Sequence, residues 1–195
     1  MAVAAALAGR RVNDRLDDAA QLVAGLGRGD RVALDRLYAR YGRALFAYVS
    51  DLVPDAGMAE EVVQDTFVAA WRGAARFEHR SSVASWLFGI ARRQARDRTR
   101  SRGPELAPPQ ELEELITGDR GPEAHALASA ARADLISALD RLPSHHREPL
   151  VLALVHGLSG PEIAAVLGVP EGTVKSRLHA ARRSVRALLD KGDLR

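Results

Sequence analysis

The sequence lacks cysteine altogether and is poor in aromatic residues. None of its 195 residues is Cys, and Phe, Trp and Tyr together make up 5%. The absence of thiols excludes disulfides, thiolate zinc sites and thiol nucleophiles, and it fits a reducing compartment, for which we expect the cytoplasm. The apolar stretch 2–8 precedes Arg10 and Arg11, the reverse of a secretory signal, and is too short to cross a bilayer. We therefore expect no membrane insertion.

The chain also lacks strand-like alternation, and its apolar residues recur at helical spacing. Glycine and proline fall mostly at the breaks between the periodic segments. Helices are predicted at 17–26, 30–53, 55–75, 83–101, 122–142, 144–156, 159–167 and 170–190. We predict an all-α fold of two small helical domains, 17–102 and 122–195, joined by a flexible acidic linker at 103–121 and preceded by a disordered tail at 1–16.

Charge is concentrated in blocks, although the net charge is only +3. Six arginines against one aspartate give residues 92–102 a local charge of +5, and six bases against one aspartate give residues 175–191 the same value. Between them, six acids against one arginine give residues 103–125 a charge of −5. The two basic blocks predict two separate contacts with a phosphate backbone, whereas nucleic acid would repel the acidic segment between them.

Residues 159–183 carry the most specific pattern, that of a helix, a short turn and a second helix. Ser159 and Glu162 have the spacing of a capping box, and Pro161 stands in the first turn, where its missing donor costs little. Gly168 stands where a helix end favours a left-handed residue. The second helix should bury one face, formed by Val174, Leu178, Ala181, Val185 and Leu188. The second domain is therefore predicted to be a helix-turn-helix domain.

The opposite face of that second helix is small, polar or basic, and residues 172–185 contain no acid. Such a helix can offer donors to a DNA major groove, although a solvated basic face is the alternative interpretation. We expect Glu171, Lys175 and Ser176 to contact base edges, because Glu can accept from a cytosine amine and Lys can donate to guanine. The residues expected to hold the DNA backbone are Thr173, Arg177, His179 and Arg182.

The predicted helix 55–75 has an acidic face, formed by Glu60, Glu61, Gln64 and Asp65, which suits a basic partner surface. A solvated face is the alternative, and Trp71 fits either the partner contact or the core. The positions predicted to turn inward are Val62, Val63, Thr66 and Phe67. On the helix 30–53, the face predicted to be buried consists of Leu34, Leu37, Tyr38, Tyr41, Leu45, Tyr48, Val49 and Leu52.

The sequence shows no catalytic or metal-binding signature. None of its six histidines stands in an HExxH or carboxylate-paired spacing, and it has no GxxxxGK[ST] or GxSxG motif. His145 and His146 are adjacent and are expected to point apart on a helix. We therefore expect no enzyme activity, no cofactor and no bound metal.

Four stretches, in their order and spacing, resemble the extracytoplasmic-function sigma factors of bacterial RNA polymerase. They are LDRLYARYGRALFAYV (34–49), EEVVQDTFVAAW (60–71), SSVASWLFGIARRQARD (81–97) and the segment 139–182, which contains the helix-turn-helix pattern. The resemblance implies a polymerase subunit that selects promoters while the polymerase makes the bonds. A stand-alone helix-turn-helix regulator that dimerises on a palindrome is the alternative.

The resemblance also implies roles for particular residues. In that family the first domain grips a coiled coil of the largest polymerase subunit and opens the −10 element, and the second binds the −35 element. The grip matches Glu60, Glu61, Gln64, Asp65 and Trp71. The −10 contact matches Phe77, His79, Arg80, Ser81, Ser82, Trp86, Arg92, Arg93, Arg96 and Arg98.

Two of these −10 positions carry alternatives. Trp86 fits equally a buried stripe with Leu87 and Ile90. The family commonly has Asn at the position of Arg93, so a phosphate contact is implied there in place of a base contact. The implied partners are core RNA polymerase, promoter DNA and a separate anti-sigma factor, with no stable homo-oligomer.

Overall fold

The computed structural model describes residues 18–102 and 134–192. The chain divides into two compact units, Met1–Ala107 and Pro108–Arg195. All regular structure in the described residues is helical, which confirms the predicted all-α fold. Three predicted segments lie wholly or mostly outside the described residues: 1–16, 103–121 and 122–142.

In residues 18–102, the described part of the first unit, there are four α-helices and one short turn of 3-10 helix. They are α1 (18–27), α2 (Arg31–Ser50), α3 (Ala56–Gly73), the 3-10 turn (Ala74–Arg76) and α4 (Val83–Arg102). Polar side chains begin the three longer helices. The Asp30 carboxylate accepts the Val32 amide at 2.9 Å, and the Asp55 carboxylate accepts the Met58 amide at 2.7 Å. Such caps satisfy amides that the first helical turn leaves without partners.

The core of this unit lies where α3 packs against both α2 and α4. Tyr48 of α2 meets Phe88 of α4 edge to face, with ring centroids 5.1 Å apart. The prediction of a buried face on α2 is wrong for Tyr38, which is 53% exposed. The Tyr38 ring lies 5.0 Å from that of Phe67 and lines an open groove between α2 and α3, so part of it remains accessible.

The second unit also consists of helices in its described part. They are α5 (134–140), α6 (Ser144–Leu154), α7 (Gly160–Leu167) and α8 (Glu171–Gly192). Helix α8 packs against α6 and α7 through the predicted stripe. Val174, Ala181 and Val185 are buried, and Leu178 and Leu188 pack against the same core cluster. The buried stripe predicted from the sequence is confirmed.

The turn between α7 and α8 has the geometry that the sequence predicts. The capping box is present, and the Glu162 carboxylate accepts the Ser159 amide at 2.7 Å. Gly168 ends α7 at φ 66° and ψ 38°, a left-handed conformation that disfavours a residue with a Cβ atom. Its amide donates to the Ala164 carbonyl at 2.9 Å, so the chain leaves α7 by a defined path and enters α8 at Glu171.

One titratable group is largely buried in the second unit. His156 follows the end of α6, and burial lowers the pKa of its imidazole to about 4. The neutral form is therefore the one that the folded unit accommodates.

Replacing His156 by Leu should remove an acid-dependent loss of stability. Because the pKa falls from 6.5 to about 4 on folding, the neutral imidazole favours the folded state above pH 6.5, and this contribution is lost as the pH falls towards 4. The free energy of unfolding should therefore decline by about 2 kcal/mol between about pH 7 and pH 5 in the unsubstituted chain. Urea unfolding at each pH measures the decline.

The exposed residue His145, at the other end of α6, provides the control for this experiment. The His145→Gln variant should keep the full pH dependence, and His156→Leu should lose most of it. Equal pH dependence in the unsubstituted chain and in His156→Leu would contradict the assignment.

Candidate nucleic-acid and polymerase interfaces

Helix α3 presents the predicted acidic face. Glu60, Glu61 and Gln64 are exposed and Asp65 is half-buried. The inward positions are those predicted, since Val62, Val63, Thr66 and Phe67 are all buried. The Thr66 hydroxyl donates to the Val62 carbonyl at 2.7 Å, which satisfies its buried oxygen within the helix. The four polar residues therefore form one accessible surface on a rigid element, here called the acidic surface.

Arg98 of α4 contacts this acidic surface, although the family resemblance had matched it to DNA binding. Its Nη1 donates to Glu61 Oε2 and its Nη2 donates to Asp65 Oδ2. Hydrogen bonds to Asp65 and Glu61 raise the pKa of the Arg98 guanidinium above its usual range. Gln94, one turn earlier on α4, donates from Nε2 to the Asp65 carbonyl at 3.1 Å. Two side chains of α4 thus bind the same stretch of α3.

Three exposed arginines of α4 lie on a different face. Arg93, Arg96 and Arg100 are exposed, whereas Arg92 is half-buried and has an interaction of its own. Trp86, Arg93 and Arg100 follow one another at intervals of seven residues, close to two helical turns, so they share one side of the helix. Arg100 was not among the expected DNA contacts, and the seven-residue interval was the signal that could have included it.

An aromatic cluster stands beside this arginine face, in the loop before α4. The Phe77 ring lies 4.6 Å from that of Trp86 and 4.7 Å from that of His79. Trp86 is half-buried, so it contributes to both the core and the surface. His79 adopts φ 55°, the left-handed region that His tolerates better than most residues. The cluster leaves ring surface accessible next to a row of cations.

The polar residues of this loop already have local partners. Arg80 pairs with Glu78, and both side chains are largely exposed. The Ser82 hydroxyl oxygen accepts the Ser85 amide at 3.1 Å, so it caps α4. Ser81 is half-buried between them. Of the loop residues expected to contact DNA, Phe77 and His79 belong to the aromatic cluster, and Arg80 and Ser82 hold the loop.

Trp71, the last residue expected at the polymerase contact, is half-buried and lines an open groove of about 680 Å³ between α2 and α3. Tyr38, Phe67 and Val68 line the same groove, with Gln64 of the acidic surface at its edge. The groove therefore adjoins the acidic surface and exposes aromatic side chains.

Helix α8 exposes most of the side chains expected to read DNA. Glu171, Lys175 and Ser176 are exposed, as are His179 and Arg182, whereas Thr173 and Arg177 are half-buried. Lys175 Nζ lies 3.0 Å from Glu171 Oε1, one helical turn away. The Ser176 hydroxyl donates to the Thr173 carbonyl at 2.9 Å. Two of the three residues expected at base edges are thus paired with each other.

The prediction that His145 and His146 point apart is wrong. Their ring centroids lie 4.2 Å apart, because both side chains extend from the first turn of α6 far enough to meet despite the angle between their Cα–Cβ bonds. The pKa of His146 is lowered by desolvation, by His145 and by the charge of Arg177 on α8. The amino end of α6 therefore lies close to the basic face of α8.

Neither a membrane span nor a metal cluster occurs in the described ranges, 18–102 and 134–192. None of the helices there has the length and apolar content needed to span a membrane. No group of three or more His, Cys, Asp or Glu side chains in those same ranges is placed to hold a metal ion.

The geometry of α7, α8 and the turn between them makes this chain a helix-turn-helix protein. Comparison with known families identifies which family of helix-turn-helix proteins it belongs to. A family model described as sigma-70 region 2 matches residues 37–105, and one described as sigma-70, region 4 matches residues 132–185. The chain belongs to the extracytoplasmic-function sigma factors, within the sigma-70 family of RNA polymerase subunits. It is an RNA polymerase sigma factor, and the alternative of a stand-alone regulator is not favoured.

Similar proteins match most of the chain. RNA polymerase sigma factor CnrH of Cupriavidus metallidurans is 36% identical over 178 residues, which are 87% of this chain and 93% of that protein. ECF RNA polymerase sigma factor SigM of Mycobacterium tuberculosis is 34% identical over 171 residues, with coverages of 87% and 84%.

Solved structures of relatives share the fold. CnrH in complex with the cytosolic domain of CnrY matches with a TM-score of 0.63 and 32% identity over 89% of this chain and 98% of that one. The sigma factor RpoE of Bartonella quintana, in complex with the anti-sigma factor NepR, matches with a TM-score of 0.61 and 27% identity, covering 80% of this chain and 96% of that one.

Replacing Arg93 and Arg96 together by Ala should weaken the salt dependence of single-stranded DNA binding. Removing the ion pair with one phosphate should reduce the slope of log K against log salt by about 0.7. Fluorescence anisotropy of a labelled DNA strand about 20 nucleotides long, titrated with the full chain at several salt concentrations, measures the slope. Arg36→Ala, at an exposed arginine of α2, is the control and should leave the slope unchanged. An unaltered slope in the double variant would place these arginines away from the nucleic acid.

Proposed function

We propose that this sigma factor holds core RNA polymerase through the acidic surface of α3 and contacts promoter DNA through α4 and α8. The observation that carries the proposal lies within the first unit, where α3 exposes carboxylates and α4 exposes arginines on a different side. Surfaces of opposite sign on packed helices suit two partners of opposite charge. A regulator that only binds DNA has no use for the acidic one.

The domain roles follow from this division. Residues 17–102 form the domain that binds polymerase and recognises and melts the −10 element, and residues 122–195 form the domain that binds the −35 element. Residues 103–121 connect them and residues 1–16 precede them. The positions of the two family-model matches, 37–105 and 132–185, support these boundaries.

At the −10 element, the aromatic cluster receives a base that leaves the duplex stack. Unstacking costs a few kcal/mol, and stacking on an aromatic side chain returns about 1–3 kcal/mol per base. Phe77 and Trp86 offer the rings, while Arg93 and Arg96 hold the adjoining phosphates. Arg92 and Arg80 remain candidates for the same strand, and Ser81 and Ser82 support the loop.

At the −35 element, α8 enters the major groove with its amino-terminal half. Lys175 donates to guanine and Glu171 accepts from cytosine, and Ser176 adds a hydroxyl to either. Thr173, Arg177, His179 and Arg182 hold the backbone and fix the register of the helix.

A separate anti-sigma factor regulates the protein, and the complexes of CnrH with CnrY and of RpoE with NepR support this. The chain itself is not an enzyme, since the polymerase makes the phosphodiester bonds. It acts in the cytoplasm, where the polymerase and the promoters are, and it works as a single copy in the initiation complex.

Reversing two charges of the acidic surface, in the variant Glu61→Lys/Asp65→Lys, should abolish binding to core polymerase, because basic partner groups would then face cations. Run-off transcription from a −35/−10 promoter library should fall in parallel. The control is Asp134→Lys/Asp190→Lys, a pair of exposed acids in the second unit. If both double variants bind polymerase as the unsubstituted chain does, the acidic surface is not the polymerase contact.

Lys175→Ala should relax the promoter preference at a single position of the −35 element. Removing one specific base contact costs about 1–3 kcal/mol at that base pair, whereas removing a backbone contact weakens binding to all sequences alike. Sequencing of transcripts from the promoter library separates the two patterns, with Arg182→Ala as the backbone control. If Lys175→Ala weakens transcription from all promoter sequences alike, Lys175 contacts the DNA backbone and not a base.

A further inference from the structure

Arg98 differs from Arg93, Arg96 and Arg100 in where it lies on α4. Leu87, Ala91 and Ala95 are buried, and Arg98 follows Ala95 by three residues, about one turn later on the same side of the helix. Its guanidinium therefore extends along the contact with α3, away from the face that carries Arg93. The Gln94 bond to the Asp65 carbonyl, at 3.1 Å, fixes α4 against α3 beside it.

Glu61 and Asp65 stand four residues apart on α3, a spacing at which two like charges repel each other. The planar guanidinium of Arg98 relieves this repulsion by donating one nitrogen to one oxygen of each carboxylate. No donor in the described ranges binds the second oxygen of either the Glu61 or the Asp65 carboxylate. Each carboxylate is thus held in place and still has acceptor capacity for another donor.

We propose that Arg98 is a positioning residue of the polymerase-binding surface, where one guanidinium bridges Glu61 and Asp65 and orients their remaining oxygens towards a basic partner. This inference rests on the proposed function of the acidic surface. It replaces the DNA contact that the family resemblance implied for Arg98.

The exposure of the three side chains supports a positioning role. The Arg98 side chain is 34% exposed, whereas Glu61 and Asp65 are 65% and 48% exposed, so a partner reaches the carboxylates more readily than the guanidinium. A carboxylate that is already fixed loses less conformational freedom when a partner binds. A lysine would place all its donors on one nitrogen, and it lacks the planar fork by which arginine gives each carboxylate a separate nitrogen.

The test measures binding of core polymerase to the full chain carrying Arg98→Ala or Arg98→Lys. Arg98→Ala should weaken binding about fivefold to tenfold, because two carboxylates must then be ordered on association, and Arg98→Lys should fall between it and the unsubstituted chain. Thermal unfolding checks that each variant folds, and Arg98→Lys keeps the test usable if Arg98→Ala is too unstable. Equal or tighter polymerase binding in both variants would overturn the proposal.

A second background separates positioning from a general effect on folding. In the variant Glu61→Gln/Asp65→Asn, a further Arg98→Ala substitution should cause no additional weakening, because no carboxylate remains there for Arg98 to orient towards a basic partner. The same fold-change in both backgrounds would mean that Arg98 acts through the stability of the unit, and the proposal would fail.

The salt dependence of DNA binding tests whether Arg98 contacts DNA instead. Arg98→Ala should leave the salt slope of single-strand binding unchanged, in contrast to the variant lacking Arg93 and Arg96. A reduced slope would return Arg98 to the DNA contacts and overturn the proposal. If Glu61→Gln/Asp65→Asn itself binds polymerase normally, the acidic surface as a whole is misassigned. If it binds weakly while Arg98→Ala binds normally, only the positioning role fails.

Discussion

Helix α4 buries one face, and this constraint fixes the direction in which each of its charged side chains points around the helix axis. Leu87, Ala91 and Ala95 hold the helix against its neighbours, so each arginine that follows has its direction fixed by its place in the sequence. Arg93 and Arg96 are turned to solvent, and Arg98 is turned to α3. The arginines of one basic segment therefore belong to two different surfaces, and the local net charge of the segment does not show this division.

The same reasoning explains why the sigma factor can use such small helical units. In the second unit, the stripe from Val174 to Leu188 anchors α8 on its neighbours, and the opposite face of α8 is exposed. Gly168 supplies the left-handed turn that sets the angle between α7 and α8. Because both ends of the turn are fixed, the exposed residues of α8 are presented by a rigid support rather than by a loop.

The features that could be predicted from the sequence are those that depend on neighbours along the chain. The capping box of Ser159, the turn at Gly168 and the stripe that begins at Val174 are all set within a few residues, and all three are confirmed. Periodicity also predicted that the acidic residues of α3 share an exposed face. Local pattern could not show that Asp65 would meet Arg98, since that contact joins residues far apart in sequence through the packing of α3 on α4.

The two wrong predictions have a similar origin. Tyr38 has the spacing of a core residue, but it lines the open groove between α2 and α3 and is therefore exposed. His145 and His146 have Cα–Cβ bonds that diverge, and only the torsions of the side chains bring their rings together. Helical periodicity predicts the direction of a residue's Cα–Cβ bond. The surrounding tertiary structure determines which contacts the rest of the side chain makes.

The ion pair between Glu171 and Lys175 has a consequence for how α8 would discriminate among sequences. In the proposed assignment each residue reads one base, and the two side chains are 74% and 45% exposed, so the pair contributes only about 0.2–1 kcal/mol. The ammonium has three donors and the carboxylate two oxygens, so each can contact a base while the pair persists. Replacing either residue therefore also changes the charge next to the other, and the preferences at two neighbouring letters of the promoter should be coupled.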